Sequence, residues 1–359
     1  MPQKTVKPIP LHQPPQISEA AGLRMELAWV GGILFLSISF LVLLLGQSRP
    51  YSALVGTISI NFLAMMVEAL PFMLIGSLAG GIIEVFVPVP LVEKLFGRHR
   101  IWPIFATAAM GLTFPVCECA IIPVIRRLLG KGLPFGAAVA FLLGGPIVNP
   151  LVAASTAVAY NLDWQMVIVR LGCGYLIAVV VGILLSCKFS HANAVIPHMH
   201  GQISPCCGHD HCSANTQNTS LKAKLFHAAG HAADDFFSVG YYLVIGTFIA
   251  AFIRSMVPLE AFTHFLASPW QGILIMMVMA VLLNLCSEAD AFIAASFRGV
   301  LPDSAQLAFM VLGPMFDIKL LLMYFGVFTR KAIAALVITV LTMVFLTTMA
   351  LHFFFFHPL

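Results

Sequence analysis

Long apolar runs dominate the chain. Seven of them are close to or above the roughly 20 residues that an α-helix needs to cross the hydrocarbon core of a bilayer. They lie at residues 28–46, 53–87, 134–160, 164–187, 236–257, 303–328 and 332–356. The pattern therefore predicts an all-α polytopic membrane protein with about seven full transmembrane helices.

Two further apolar runs are interrupted by polar residues. The run at 101–130 is broken by the sequence PVCEC at residues 115–119, and the run at 270–297 is broken by LCSEAD at residues 285–290. Irregular backbone at membrane depth is tolerated only where protein or a water-filled cavity covers it. We therefore expect both breaks to line a cavity.

The chain also repeats itself. The sequence LIGS at residues 74–77 is followed 170 residues later by VIGT at 244–247, and Val87-Pro88 is followed by Val257-Pro258. The two interrupted runs come next in each half, and then LGGP at 143–146 and VLGP at 311–314. Four landmarks in the same order favour a duplication over chance similarity among apolar helices. We place repeat 1 at 52–187 and repeat 2 at 225–356.

Basic residues decide between two topologies. If both interrupted runs cross the membrane, Lys and Arg divide about evenly between its two sides. If each run is a re-entrant hairpin, about fourteen basic residues lie on the cytoplasmic side and three outside, as the positive-inside rule requires. This topology predicts two re-entrant hairpins that enter from opposite faces. The two repeats are then inverted, as in secondary transporters whose sites form where broken helices meet.

The segments outside the repeats complete the predicted organisation. Residues 1–27 are polar and rich in proline and show no cleavage pattern, so we expect a disordered cytoplasmic leader. Residues 28–46 form the first transmembrane helix, which leaves the N-terminus in the cytoplasm. Residues 188–224 form a cytoplasmic linker that is rich in His and Cys.

Composition excludes several classes of function. Hydrophobic residues make up 60% of the chain and charged residues 9%, against about 45–50% and about 25% in soluble domains. The lipid bilayer is therefore the expected partner, in a cell inner (plasma) membrane. A net charge of +4 without a basic face argues against nucleic acid. The chain has no nucleotide-binding loop and no hydrolase motif, so we expect neither a nucleotide partner nor an enzyme.

Ionisable residues within the apolar segments gather at the breaks. Such residues are costly in lipid, so they are expected to face inward, to pair and to mark a pathway. The residues expected to couple protons or hold a cation are Glu68, Glu288, Asp290, Asp317 and Lys319. A structural salt bridge is the alternative for Glu68 and Lys319. For Arg170, inward placement and snorkelling toward an interface are equally open.

The two cysteines of the first break flank Glu118. Residues i and i+2 point apart on a helix, but in a turning tip beside Pro115 the thiols of Cys117 and Cys119 converge. Cys286 on the opposite hairpin adds a third sulfur. Thiolates select thiophilic solutes such as Cu(I), Zn(II) or arsenic(III) species. We therefore expect these three cysteines and Glu118 to bind the solute, with inert packing thiols as the alternative.

Two other polar features leave alternatives open. Asn149, in the sequence GGPIVNP at 144–150, matches Asp317 in the repeat and either binds the solute or satisfies loosened backbone. The linker either binds Zn or Cu or is a solvated tether with incidental histidines. Its candidate ligands are His198, His200, Cys206, Cys207, His209, His211 and Cys212. No other cofactor is expected.

The motifs at 115–119, 144–150 and 286–290 together resemble the predicted-permease family that includes the bacterial organoarsenical efflux permeases. The resemblance covers roughly residues 55–350. It implies a multispanning inner-membrane permease and, for the arsenical branch, export of trivalent organoarsenicals.

These observations predict a secondary transporter that exports a small thiophilic solute by proton-coupled alternating access. A trivalent organoarsenical is the best single candidate. One alternative is a divalent or transition-metal permease that the linker supplies. The other is one membrane subunit of a two-component complex, which requires a partner membrane subunit.

The metal hypothesis for the linker is directly testable. Deleting residues 198–212 removes its seven candidate His and Cys ligands. If the linker delivers or senses metal, the deletion alters cellular Zn, Co or Cu content and tolerance. Elemental analysis of cells that express equal amounts of the two forms measures this. Unchanged metal content and tolerance contradict the hypothesis.

Overall fold

The computed structural model describes residues 50–96, 101–113, 117–189, 194–196, 221–256 and 269–356. The first predicted transmembrane helix, the leader and nearly all of the linker lie outside these residues. Repeat 1 contains α1 Pro50–Phe86, α2 Val89–Phe96, α3 Trp102–Ala108, α4 Glu118–Gly130, α5 Phe135–Gly144, α6 Pro150–Ala159 and α7 Trp164–Lys188. Repeat 2 contains α8 Leu221–Met256, α9 Pro269–Leu283, α10 Ser287–Ser296, α11 Asp303–Met315, α12 Ile318–Tyr324 and α13 Arg330–Leu351.

The helices α3 and α4 form a re-entrant hairpin. α4 lies beside α1 and runs in the same direction, with Gly76 of α1 against Ala120 and Gly80 near Pro123. At its end, Lys131 Nζ donates to the carbonyl oxygen of Val87 at 2.6 Å. The chain also enters α3 at this end of α1, directly after α2. The hairpin therefore enters and leaves on one side, which we call the Phe86 face; the opposite side, at Pro50, is the Pro50 face.

The helices α9 and α10 form the second hairpin, which enters from the Pro50 face. Gly272 near the start of α9 lies against Leu301 and Ala305, which follow α10. Arg298, which lies between α10 and Leu301 in the sequence, stacks over the ring of Tyr160, 5.1 Å from its centroid. Tyr160 follows α6, at the far side of the membrane from Lys131. Both predicted hairpins are thus present, and they enter from opposite faces.

Two of the crossings are broken in the middle. α5 and α6 are separated by residues 145–149, and α11 and α12 by residues 316–317, next to prolines in both cases. The freed amides are capped in the same way. Asn149 Oδ1 accepts from the N–H of Leu151 at 2.9 Å, and Asp317 Oδ1 accepts from that of Leu320 at 2.6 Å. The two repeats therefore also share a capping side chain at the start of the helix that follows each break.

The two repeats are inverted. α1 and α8 are antiparallel: Asn61 Nδ2 donates to Ser255 Oγ at 3.1 Å near one end, and Gly81 packs against Ala228 near the other. In the part of the chain that the structure describes, the full crossings are α1, α5–α6, α7, α8, α11–α12 and α13. Five stretches are individually long and apolar enough to span a membrane, and α5–α6 is the broken sixth. The predicted all-α polytopic architecture is confirmed.

Gly76 tests the close approach of α1 to the first hairpin. A methyl group there overlaps the backbone of Ala120, whereas one at Gly56 on the same helix meets nothing within 4 Å. We expect Gly76→Ala to destabilise the protein by about 1–3 kcal/mol through overpacking. Gly56→Ala should be neutral or stabilising, because alanine favours the helix. Thermal unfolding in detergent measures both; equal melting temperatures contradict the packing.

Candidate functional site

The tips of the two hairpins meet at membrane depth. Cys117 is the N-cap of α4 and Cys286 the N-cap of α10, and both have extended backbone, with ψ of 168° and 158°. In each hairpin the extended residue precedes a new helix that runs toward the face of entry. Cysteine and carboxylate side chains next to the breaks are therefore brought together from opposite sides of the membrane.

A small pocket lies between these tips and the middle of α1. Its volume is about 20 Å³, room for about one water molecule. We call the hairpin of α3 and α4 hairpin 1 and that of α9 and α10 hairpin 2. α1 and hairpin 1 contribute Met65, Glu68, Ala69, Phe72, Cys117, Glu118 and Cys119 to the lining. Hairpin 2 and α12 contribute Asn284, Cys286, Glu288 and Lys319. Seven of the residues predicted from the sequence thus border one pocket, which must widen to admit a solute larger than water.

A buried ion pair joins the two repeats across the pocket. Lys319 Nζ of α12 lies 3.2 Å from Glu118 Oε1 of hairpin 1 and 3.6 Å from Asp317 Oδ2. The backbone N–H of Lys319 donates to Asn284 Oδ1 at 3.1 Å, so this residue also holds the tip of hairpin 2. Two carboxylates share one ammonium. The second carboxylate oxygens of both, Glu118 Oε2 and Asp317 Oδ2, are buried without a hydrogen bond.

The three thiols border the same pocket. Cys119, in the first turn of α4, and Cys117, the residue that caps it, are both buried. Cys286 is half-buried and lies beside the carboxylate of Glu68. The side chains of residues 117 and 119 thus both border one pocket. That these thiols bind a solute stays a prediction.

Three predicted residues lie outside the pocket lining. Asn149 and Asp317 are the caps of α6 and α12, so Asn149 satisfies the loosened backbone. Asp290 is buried in α10 against Gly313 of α11, with Oδ2 lacking a hydrogen bond. These side chains support the broken helices that carry the pocket.

The structure assigns partners to Arg170, which sequence reasoning left undecided. Its side chain is fully buried, so the snorkelling alternative is wrong. One Nη donates to Thr156 Oγ1 at 2.6 Å; the other donates to the carbonyl oxygens of Ser287 at 2.7 Å and Met310 at 3.2 Å. Arg170 of repeat 1 thus holds the start of α10 in repeat 2.

Sequence reasoning missed Asn284 as a pocket residue. It has a left-handed backbone, with φ of 51°, and its side chain also donates to the carbonyl oxygen of Val281 at 2.9 Å. Asparagine tolerates this conformation better than most residues. A single asparagine at the end of the apolar run 270–283 was the signal available in the sequence.

The structure does not bear on the predicted linker ligands, because residues 198–212 lie outside the described ranges. Within those ranges, no three His, Cys, Asp or Glu side chains are grouped so as to hold a metal ion. The pocket as it stands is therefore a site of thiols and ion pairs.

Comparison with known proteins places this architecture in a family. The model of the predicted permease family ArsP_1 matches residues 55–353. The chain belongs to this permease family. It is therefore a membrane permease, and the resemblance predicted from the three motifs is confirmed.

Two relatives of the permease cover most of its length. It is 38% identical to the UPF0718 protein YcgR of Bacillus subtilis over 79% of this chain and 92% of that protein. It is 38% identical to a putative two-component membrane permease complex subunit of Streptococcus mutans over 76% of this chain and 87% of that protein. UPF0718 protein YraQ of Escherichia coli is 25% identical over 42% of this chain and 41% of that protein. No solved structure matches.

The ion pair between the repeats can be measured by a double-mutant cycle. Lys319→Met leaves two buried carboxylates without their ammonium and should destabilise the permease by about 3–5 kcal/mol. Glu118→Gln should cost less, because Asp317 still pairs with Lys319. The double variant should lose less than the sum of the two. Unfolding in detergent measures the three variants, with the exposed Lys331→Met as control. Additive losses contradict a direct pair.

Proposed function

We propose that the permease is a secondary transporter that exports a small thiophilic solute, with a trivalent organoarsenical as the best single candidate. One observation carries this proposal. Thiols of Cys117 and Cys119 from repeat 1 and Cys286 from repeat 2 border one pocket at the hairpin tips. Broken helices that meet near the midplane are where secondary transporters bind their substrates.

The adjacent thiols suit a monomethyl arsenic(III) species. Such a solute carries two exchangeable hydroxyl groups. Two As–S bonds form to Cys117 and Cys119 as two As–O bonds break, and the two thiol protons leave with the hydroxyls as water. Since both thiols border one pocket at the tip of hairpin 1, a single solute molecule can reach the two sulfurs. Soft sulfur ligands also favour such solutes over Mg or Ca.

Carboxylates at the pocket supply the proposed proton coupling. Glu118 lies between the two thiols in sequence and pairs with Lys319. A proton on Glu118 removes its attraction for the ammonium and leaves a neutral group beside the sulfurs. Glu288 at the pocket and Asp290 one turn away are the other proton carriers in the proposal. Release reverses the exchange: two water molecules break the two As–S bonds, their hydroxyls return to arsenic and their protons to the two sulfurs, while a proton carried in from outside on these carboxylates accompanies the step.

The uneven distribution of basic residues between the two faces supports a cytoplasmic location of the Phe86 face. The basic residues described near that face are Lys94, Arg126, Arg127, Lys131, Lys188, Lys224, Arg330 and Lys331. The Pro50 face has Arg254 and Arg298. The positive-inside rule then orients the permease in the plasma membrane with the first hairpin entering from the cytoplasm. On this orientation the predicted helix at 28–46 starts in the cytoplasm.

A second candidate is one membrane subunit of a two-component permease. The Streptococcus mutans relative is named as a putative subunit of such a complex, and it matches 76% of this chain. The two candidates differ in one outcome: the purified chain moves solute by itself in the first and requires a second membrane subunit in the second.

The thiol pair is tested by resistance. In arsenic-sensitive cells, the permease should confer resistance to methylarsenite, and Cys117→Ser with Cys119→Ser should abolish it because As–S bonds can no longer form. Cys173→Ser is the matched control, since this buried thiol of α7 lies outside the pocket lining. Growth curves at equal membrane levels measure the effect. Full resistance in the double serine variant would falsify the proposed thiol site.

A further inference from the structure

We propose that Asp235 closes the transport pathway at the Phe86 face, as a positioning residue that holds hairpin 1 against α8. This inference rests on the proposed transport function and adds the residue that selects the open side. Asp235 does not border the pocket. In the sequence it follows His227, His231 and Asp234 at the start of an apolar run, a pattern that predicts either a cytoplasmic vestibule or a plain polar cap.

Asp235 is the centre of a buried ionic cluster. Its carboxylate pairs with Nε of Arg127 and lies 3.6 Å from Nη1 of Arg126. Arg127 also donates through Nη2 to the carbonyl oxygen of His231 at 3.1 Å. Asp235 is 1% exposed. Both arginines belong to α4, so the cluster ties the returning helix of hairpin 1 to the first helix of repeat 2.

The cluster lies between the pocket and the Phe86 face. Arg127 is nine residues beyond Glu118 on α4, about 13 Å at the helical rise. Lys131, another turn on, reaches the carbonyl oxygens of Glu84 and Val87 at the end of α1. The contacts therefore seal the space between α1, α4 and α8 on the Phe86 side of the pocket.

Packing differs between the two halves of the membrane, although inverted repeats relate them. α1 packs along α4, and α8 packs along α12. Both α4 and α12 lie between the hairpin tips and the Phe86 face. Their counterparts toward the Pro50 face are α10 and α6. Within the described ranges these make no comparable contact with α8 or α1, and α8 has only a small contact with α9.

The exposure of the pocket side chains also differs between the Pro50 side and the Phe86 side. Glu68, on the Pro50 side, is exposed, and Cys286 and Glu288 are half-buried. Glu118 and Cys119, at the start of α4, are each 2% exposed. Among the described residues, the pocket is thus closed toward the Phe86 face and more exposed on the Pro50 side.

Among the residues that the structure describes, the ionic cluster has no counterpart at the other face. In the sequence repeat, Met65 corresponds to Asp235, and Ala295 and Ser296 correspond to Arg126 and Arg127. These counterparts are uncharged, so closure of the Pro50 face lacks this attraction. A buried pair is strongly destabilised when one partner is lost. Removing the Asp235 charge therefore favours separation of α4 from α8 and opening of the Phe86 face.

The test measures the accessibility of one pocket thiol from each side. In a full-length chain whose only cysteine is Cys286, a membrane-impermeant methanethiosulfonate is added to sealed vesicles of either orientation. A chain whose only cysteine is Cys187, which is exposed at the end of α7, reports which side is the Phe86 face. Asp235→Asn is compared with Asp234→Asn, an exposed neighbour that undergoes the same chemical change.

We expect Cys286 in the parent and in Asp234→Asn to react from the Pro50 face. In Asp235→Asn, labelling from the Phe86 face should rise about tenfold, the change that a shift of about 1.4 kcal/mol produces. Unchanged labelling from that face overturns the proposal. If Asp235→Asn fails to reach the membrane, Arg127→Asp with Asp235→Arg decides. This charge-swapped variant restores the ion pair, so its Cys286 should be labelled from the Pro50 face, as in the parent. Labelling from both faces overturns the proposal.

This readout is independent of the solute. If Asp235→Asn shifts labelling but the parent confers no methylarsenite resistance, the proposed solute is wrong and the closure by Asp235 stands. If resistance depends on Cys117 and Cys119 but labelling does not shift, the thiol site stands and the closure at Asp235 is wrong.

Discussion

A charge inside a membrane protein must find its partner within the protein, and Lys319 meets this constraint by pairing with Glu118 of the opposite repeat. The rest of the pocket depends on that pair. It fixes the tip of hairpin 1 beside α12, and the Lys319 backbone fixes the tip of hairpin 2 through Asn284. Thiols that lie far apart in the sequence are thereby held around one small cavity.

The two hairpins are held crosswise. Lys319 of repeat 2 contacts hairpin 1, and Arg170 of repeat 1 contacts the start of α10 in hairpin 2. They differ in their surroundings: Lys319 borders the pocket, whereas Arg170 is fully buried and bonded to three oxygens. In the proposed transport, a solute or proton at the pocket therefore acts first on the Lys319 pair. Arg170 keeps hairpin 2 attached to α6 and α11 while this happens.

Much of the fold could be predicted from the sequence because it depends on local patterns. Apolar run length fixes the spans, proline and polar residues fix the breaks, and the distribution of Lys and Arg distinguishes hairpins from crossings. The pocket cysteines were predictable because they lie at those breaks. The partners of Arg170 and Asp235 were not, since Arg170 and Ser287 are 117 residues apart and Arg127 and Asp235 are 108 apart. Such pairs depend on how the repeats dock, which local periodicity does not encode.

Solute flux through the purified chain tests the proposed transport most directly. Proteoliposomes that contain only this permease are given methylarsenite, inorganic arsenite, Zn(II) or Cu(I), each with and without a pH gradient. Thiol binding with proton coupling predicts methylarsenite flux that the gradient accelerates and that Cys117→Ser with Cys119→Ser abolishes. Flux of metal ions alone, or no flux of any solute until a second membrane subunit is added, contradicts it.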